Sequence, residues 1–153
     1  MKKQLNSIED FESYLKGLLD TKNKGFHGIR LLLSSFWNTQ NFSNLEVARI
    51  KAEVNDFTLW VKSIFKSYIS KITGEFPDFP SHYLSLFDEI LLNLDILRKK
   101  ARKLTLNNAM ARVSPKDYIK SVSASLDIIL NQTEDKIREL LQELIAWESV
   151  QAA

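Results

Sequence analysis

Residues 43–74 read SNLEVARIKAEVNDFTLWVKSIFKSYISKITG, and this stretch decides the fold class. Its apolar side chains recur every three or four positions, which is the period of an α-helix, and no proline interrupts them. Ser43 followed three positions later by Glu46 matches the capping box of a helix N-terminus, and Gly74 is a typical residue at a helix end. The stretch therefore predicts a single helix of about 30 residues, roughly 43 Å long. Its predicted buried stripe is Ile50, Val54, Phe57, Val61, Ile64, Phe65, Tyr68 and Ile72.

The helical period continues on both sides of this stretch, and the strict alternation typical of strands is sustained nowhere. Four further helices are predicted, at residues 7–20, 26–37, 81–104 and 115–147. Ser7 and Ser81 are the predicted N-terminal caps of the first and fourth helices, and Ser114 followed by Pro115 is a strong start for the last one. We expect the last helix to continue through residues 131–133, because its apolar stripe keeps its phase there.

The linker at residues 74–80 contains two prolines and cannot be helical throughout. Phe76 and Phe79 are expected to pack this linker onto the core. Three long helices and two shorter ones, joined by short loops, predict an all-α helical bundle. A chain of 153 residues has the usual size of one domain, so residues 1–153 are predicted to form a single one.

The composition excludes several classes of protein. With 44% hydrophobic and 26% charged residues the chain is typical of a globular protein, and with no cysteine it has neither disulfides nor thiol chemistry. No apolar run reaches the roughly 20 residues that a membrane-spanning helix needs. We find no signal-peptide pattern at the N-terminus either, and expect a soluble, cytoplasmic protein.

No catalytic motif is present. His27 and His82 have no second histidine or cysteine at metal-ligand spacing, so we expect a loop residue and a surface residue, respectively. There is no glycine-rich phosphate loop, and acidic neighbours such as Glu134 and Asp135 are predicted to lie on solvated helix faces. We therefore expect no enzyme activity, no metal and no cofactor. The tryptophans are expected mostly in the core, with Trp147 as a candidate contact to another protein.

Positive charge is concentrated in the basic segment, which we define as residues 98–120. It holds eight basic residues and one acidic residue, a net charge of +7, so the other 130 residues together carry −5 of the total of +2. Like charges at i,i+4 spacing, such as Arg98 with Arg102, cost helix stability unless an anion relieves them. The predicted nucleic-acid contacts are Arg98, Lys99, Arg102, Lys103, Arg112, Lys116 and Lys120.

Three interpretations of the basic segment are open. The first is a solvated helix end, where the helix dipole favours cations. The second is a surface that follows a phosphate backbone. The third is a contact to an anionic membrane. The membrane is disfavoured because the segment lacks the bulky apolar face that such helices insert. Other cations that could extend the surface are Lys22, Lys24, His27, Arg30, Lys62 and Lys66.

In size, helical content, lack of catalytic motifs and the basic helix-loop-helix surface, the chain resembles the small subunits of multisubunit CRISPR interference complexes, which serve antiviral defence. The resemblance is one of overall character over most of the chain and assigns no residues. It implies a non-catalytic subunit of a ribonucleoprotein complex whose basic segment contacts RNA or single-stranded DNA without reading sequence. Acidic or apolar faces would then contact neighbouring subunits, including further copies of the chain. The alternative is a helical scaffold or adaptor that binds only proteins, with the basic segment meeting an acidic partner.

Overall fold

A computed structural model describes residues 6–20, 25–38, 44–104 and 115–152, and five α-helices account for nearly all of them. They are α1 (Asn6–Leu19), α2 (Phe26–Asn38), α3 (Asn44–Glu75), α4 (Ser81–Arg102) and α5 (Pro115–Ala152). The described ranges contain no strand, which confirms the predicted all-α class with three long and two shorter helices. No helix among them combines the length and apolarity needed to cross a bilayer.

Helices α3, α4 and α5 run up, down and up beside one another. Along α4 and α5, Glu89 lies 2.8 Å from Lys136, whereas Lys100, further along α4, bonds Ser125, which is earlier in α5. The two helices are therefore antiparallel. The same holds for α3 and α4, whose connection is the short linker at residues 76–80.

A cluster of aromatic rings joins α1 to the long helices. The ring of Phe11 lies 5.3 Å from Phe65 on α3, edge-on, and is stacked at 5.5 Å on Phe87 of α4. Such ring pairs add to the stabilisation that comes from burying their area. The largest fully buried side chains are Phe11, Phe26, Phe65, Phe87, Ile8, Leu15, Ile50, Ile72, Ile90, Leu94 and Leu97.

The linker between α3 and α4 is anchored by its two phenylalanines, as predicted. Phe76 and Phe79 are buried, and both meet the ring of Trp147 edge-on, with centroids 5.1 and 5.2 Å apart. Trp147 is only 8% exposed. It is therefore a core residue that closes this end of the bundle, and the prediction of a partner contact there is wrong.

The predicted serine caps are also wrong. α1 begins at Asn6, one residue before Ser7, whose Oγ donates a 2.6 Å hydrogen bond to Oε2 of Glu75 at the end of α3. α4 is preceded by Pro80 in extended conformation with no side-chain cap, and Ser81 is already helical. The hydroxyl of Ser7 thus bonds a carboxylate of another helix instead of a backbone N–H of its own. At α4, Pro80 provides the extended residue before the helix, so Ser81 is not needed there as a cap.

The structure confirms the continuity of α5 but not the predicted end of α3. α5 is continuous through residues 131–133, as expected, and the Oγ1 of Thr133 donates to the carbonyl of Ile129 one turn earlier. α3 does not end at Gly74 in a left-handed turn, because Gly74 has no positive φ and the N–H of Phe76 still donates to the carbonyl of Ile72. The predicted cap at Ser43 lies outside the described residues.

Candidate nucleic-acid interface

The basic segment lies at one end of the bundle, where α4 ends and α5 begins. Lys100 in the last turn of α4 donates a 2.9 Å hydrogen bond from Nζ to Oγ of Ser125. Lys120 precedes Ser125 by five residues, about 7.5 Å along α5, whereas α4 ends two residues, about 3 Å, after Lys100, so Lys120 lies about 4.5 Å past the end of α4. The antiparallel packing thus brings residues from both sides of the connection to the same end.

The cations of α4 cover one continuous side of its last turns. At about 100° per residue, the five cations between Arg98 and Lys103 span roughly 200° of the helix circumference. The opposite side carries Leu97, Ala101 and Leu104, all of which are buried. The burial of these three apolar residues fixes the rotation of the helix, so that the cations face outward. Lys103 ends the helix with its backbone N–H on the carbonyl of Lys100.

Most of these cations have no carboxylate partner. Lys99, Arg102, Lys103 and Lys120 are exposed, and none of them forms an ion pair within the described part of the chain. The connection at residues 104–116 contains two basic residues and no acidic residue. Asp117 in the first turn of α5 is an exposed carboxylate at this end, but the basic residues there outnumber it, so the end of the bundle carries a net positive charge. We call Lys99, Arg102, Lys103 and Lys120 the cation cluster.

Arg98 differs from the cluster although it belongs to the same helix. Its side chain is only 20% exposed, and its Nη2 lies 3.4 Å from Oδ1 of Asp95. Burial by itself would raise the pKa of Asp95, but the hydrogen bonds and charges of Lys62, followed by those of Arg98, hold it below its usual value. Arg98 and Lys62 thus share one carboxylate. Arg98 is not a free contact for an anion.

Two of the predicted nucleic-acid contacts have side chains outside the described residues. Arg112 lies outside the described residues. Lys116 belongs to the first turn of α5, but its side chain is likewise outside what the structure describes. The backbone of α5 nevertheless begins at this end of the bundle, where the unpaired N–H groups of a first helical turn favour anions.

Arg30 and Lys62, two of the cations that the sequence allowed as an extension of the cluster, are paired with carboxylates instead. Arg30 on α2 forms an ion pair with Glu134 on α5 and donates a 2.6 Å hydrogen bond to Asn131. Glu134 is buried, contrary to the prediction of a solvated carboxylate, and is paired with both Arg30 and Arg138. His27 lies in the first turn of α2 and not in a loop. Lys22 and Lys24 lie outside the described residues.

One tryptophan of α3 lies at the surface, contrary to the prediction. Trp60 is 66% exposed, although tryptophan was expected in the core. It stands next to Val61 in α3 and so lies off the apolar stripe that was predicted to be buried. The phase of that stripe was the signal that could have identified it.

Within the described ranges, no group of three or more His, Asp or Glu side chains is placed to hold a metal ion. His82 is an exposed first-turn residue of α4, as predicted, and lies 3.8 Å from Glu143. No family model, no curated protein and no solved structure matches the chain.

Proposed function

We propose that this protein binds the phosphate backbone of RNA or single-stranded DNA through the cation cluster, without reading base sequence, as a non-catalytic small subunit of a ribonucleoprotein complex. One observation supports this most strongly: Lys99, Arg102, Lys103 and Lys120 are exposed at one end of the bundle, and no carboxylate in the described ranges forms an ion pair with them. The protein has carboxylates elsewhere to pair with cations, as Asp95 and Glu134 do.

The geometry of the cluster is suited to a chain of phosphates. Lys99 and Lys103 are four residues apart on one face of α4, about 6 Å along the helix axis. Along a duplex, one strand presents a phosphate about every 3.4 Å, so a separation of about 6 Å corresponds to nearly two such steps, and the two flexible ammonium groups can meet two phosphates of the same strand. Phosphates would also remove the like-charge repulsion between these lysines, which costs a few tenths of a kcal/mol in the free helix.

Three of the four side chains of the cluster are lysines, which supply charge but little means of base recognition. Lysine contacts phosphate as a point charge, and none of the described cluster residues is aromatic, so none offers a ring on which a base stacks. Contacts to phosphate fix position but carry no sequence information. We therefore expect similar affinity for RNA and for single-stranded DNA of arbitrary sequence.

The test is a fluorescence anisotropy titration with one arbitrary-sequence RNA and one single-stranded DNA at 50 and 200 mM salt. Reversal of charge at Lys99, Arg102 and Lys103 is expected to weaken binding at least about 100-fold at the lower salt, because several phosphate contacts are lost together. Arg98 is left intact, since a glutamate there would face Asp95. The control Lys16→Glu/Lys71→Glu changes two exposed lysines on α1 and α3.

The second hypothesis, an adaptor that binds only proteins, predicts a different result. In that case neither nucleic acid binds above background at 50 mM salt, whatever the charge at residues 99–103. Equal binding by the parent and the charge-reversed variant would also reject the proposal, because the cluster would then have no part in the interaction.

A further inference from the structure

A second surface lies between α2 and α3, and it is apolar and acidic where the basic segment is cationic. It is an open groove of about 700 Å³. Its wall on α2 is Gly28, Leu31 and Leu32, and its wall on α3 is Arg49, Glu53, Asp56 and Trp60, with Ile29 and Phe57 also lining it. A smaller hollow of about 290 Å³ adjoins it and shares Phe57 and Trp60.

The groove exposes large apolar side chains to solvent. Trp60 is 66% exposed and Leu31 is 57% exposed, and they stand on opposite walls. Facing apolar walls of this kind are the features of sites that bind another protein segment. Gly28 has no side chain, so the α2 wall is low at that point and permits a close approach.

The dimensions fit an α-helix. Arg49 and Trp60 are eleven residues apart in α3, which makes this wall about 16 Å long. The anchor residues of a helix bound in a groove typically occupy positions i, i+3 or i+4, and i+7, a span of about 10.5 Å. A partner helix of about three turns therefore matches the length of the wall.

The charges on the α3 wall indicate which helix would bind. Glu53 and Asp56 are exposed and form no ion pair within the described part of the chain. Arg49 lies one turn from Glu53, but no ion pair joins the two. The two carboxylates give this edge a net negative charge, which lysine or arginine on a partner would complement.

We infer that the groove between α2 and α3 binds an amphipathic helix of another protein, with apolar anchors against Trp60 and Leu31 and basic residues facing Glu53 and Asp56. The site is independent of the cation cluster and of nucleic acid. It gives the bundle a second contact, with protein as its partner.

The test selects peptides of about 18 residues, five helical turns, from a displayed library of helix-forming sequences with the parent protein as bait. Recovered peptides are then titrated by fluorescence anisotropy. We expect apolar residues at helical spacing with Lys or Arg beside them, and binding at least about tenfold weaker to Leu31→Asp/Trp60→Ala. Leu92→Asp, an equally exposed leucine on α4 at 59%, is the matched control and should bind as the parent does.

A second variant keeps the test decisive even if the apolar substitutions disturb the fold. Glu53→Lys/Asp56→Lys changes only exposed charges and should weaken the same peptides at least about tenfold at low salt. The inference is overturned if no recovered peptide distinguishes the parent from both groove variants, or if the recovered peptides are acidic or lack helical spacing. Loss of nucleic-acid binding in the charge-reversed cluster variant would not affect this result.

Discussion

The ammonium group of Lys62 on α3 lies 3.1 Å from each carboxylate oxygen of Asp95 on α4. Asp95 also receives Arg98, three residues further along its own helix. One carboxylate thus joins two helices and offsets part of the positive charge next to the cation cluster. Because the pKa of Asp95 is lower in the folded protein, its stabilisation is present above the unfolded pKa and is lost as the pH falls through the folded value.

Substitution of Asp95 should separate stability from binding. Asp95→Asn leaves Lys62 and Arg98 without a carboxylate, and we expect a loss of about 1 kcal/mol in the free energy of unfolding. The same change adds a positive charge beside the cluster, so affinity for RNA at 50 mM salt should rise about two- to threefold. Urea unfolding and anisotropy titration measure the two effects. Asp88→Asn, an exposed carboxylate on α4, should change neither, and an unaltered affinity in Asp95→Asn would show that Asp95 does not set the local charge.

The buried carboxyl group of Glu12 should make stability depend on pH in the neutral range. Burial, followed by the neighbouring Glu148 on α5, raises the pKa of Glu12 to about 8. A folded pKa above the unfolded one means that the protonated form is favoured by folding, so stability falls as the pH rises from about 4.5 towards 8. Glu12→Gln, which is neutral at every pH, should flatten this dependence.

The measurement for Glu12 is the melting temperature at pH 5 and pH 8. We expect Glu12→Gln to melt at least about 2 °C higher than the parent at pH 8 and close to the parent at pH 5. Asp10→Asn, an exposed carboxylate on the same helix, is the control. Parallel pH profiles for Glu12→Gln and the parent would rule out the raised pKa.

Two glycines should respond in opposite ways to alanine. A Cβ at Gly25 would lie 2.9 Å from the carbonyl oxygen and 3.2 Å from the Cα of Leu18, which are backbone atoms that cannot move aside cheaply. Gly25→Ala should therefore cost about 1–3 kcal/mol as α2 shifts away from α1. At Gly74 a Cβ meets nothing within 4 Å, and the residue is helical, so Gly74→Ala should stabilise by about 0.5–1 kcal/mol. Thermal unfolding tests both, and a Gly25→Ala variant as stable as the parent would contradict the close approach of α1 and α2.

Two tryptophans should also differ. Trp147→Ala removes a buried ring from between Phe76 and Phe79 and should cost about 3–5 kcal/mol. Trp60→Ala removes an exposed ring and should change the free energy of unfolding by no more than about 0.5 kcal/mol. Urea unfolding of the two variants measures both values. Similar losses in the two would show that the ring of Trp60 is part of the core.

The sequence was sufficient to predict the helices because their apolar period records which side of each helix is buried. The stripe on α3 and the unbroken phase of α5 are local properties of the chain. The continuity of α5 is confirmed, and five of the eight predicted stripe residues of α3 are buried, whereas Phe57, Ile64 and Tyr68 are only partly so. The roles of individual polar residues depended on contacts between helices. Ser7 bonds Glu75, 68 residues away, and no local pattern indicates that this bond replaces a cap.

The same limit applies to the candidate interface. The count of charged residues identified the basic segment. Only the packing of α3 against α4 shows that Asp95 pairs with both Lys62 and Arg98. The paired charges of Arg30 and Glu134 likewise depend on the packing of α2 against α5. That the basic segment binds nucleic acid stays a prediction.

The salt dependence of RNA binding tests the central claim most directly. The slope of log affinity against log salt counts the phosphates that the protein neutralises, at about 0.7 for each contact with a single strand. If Lys99, Arg102 and Lys103 each contact a phosphate, their triple substitution by glutamine should make the slope shallower by about 2, while Lys16→Gln/Lys71→Gln keeps the parent slope. A triple variant with the slope and affinity of the parent would contradict the account.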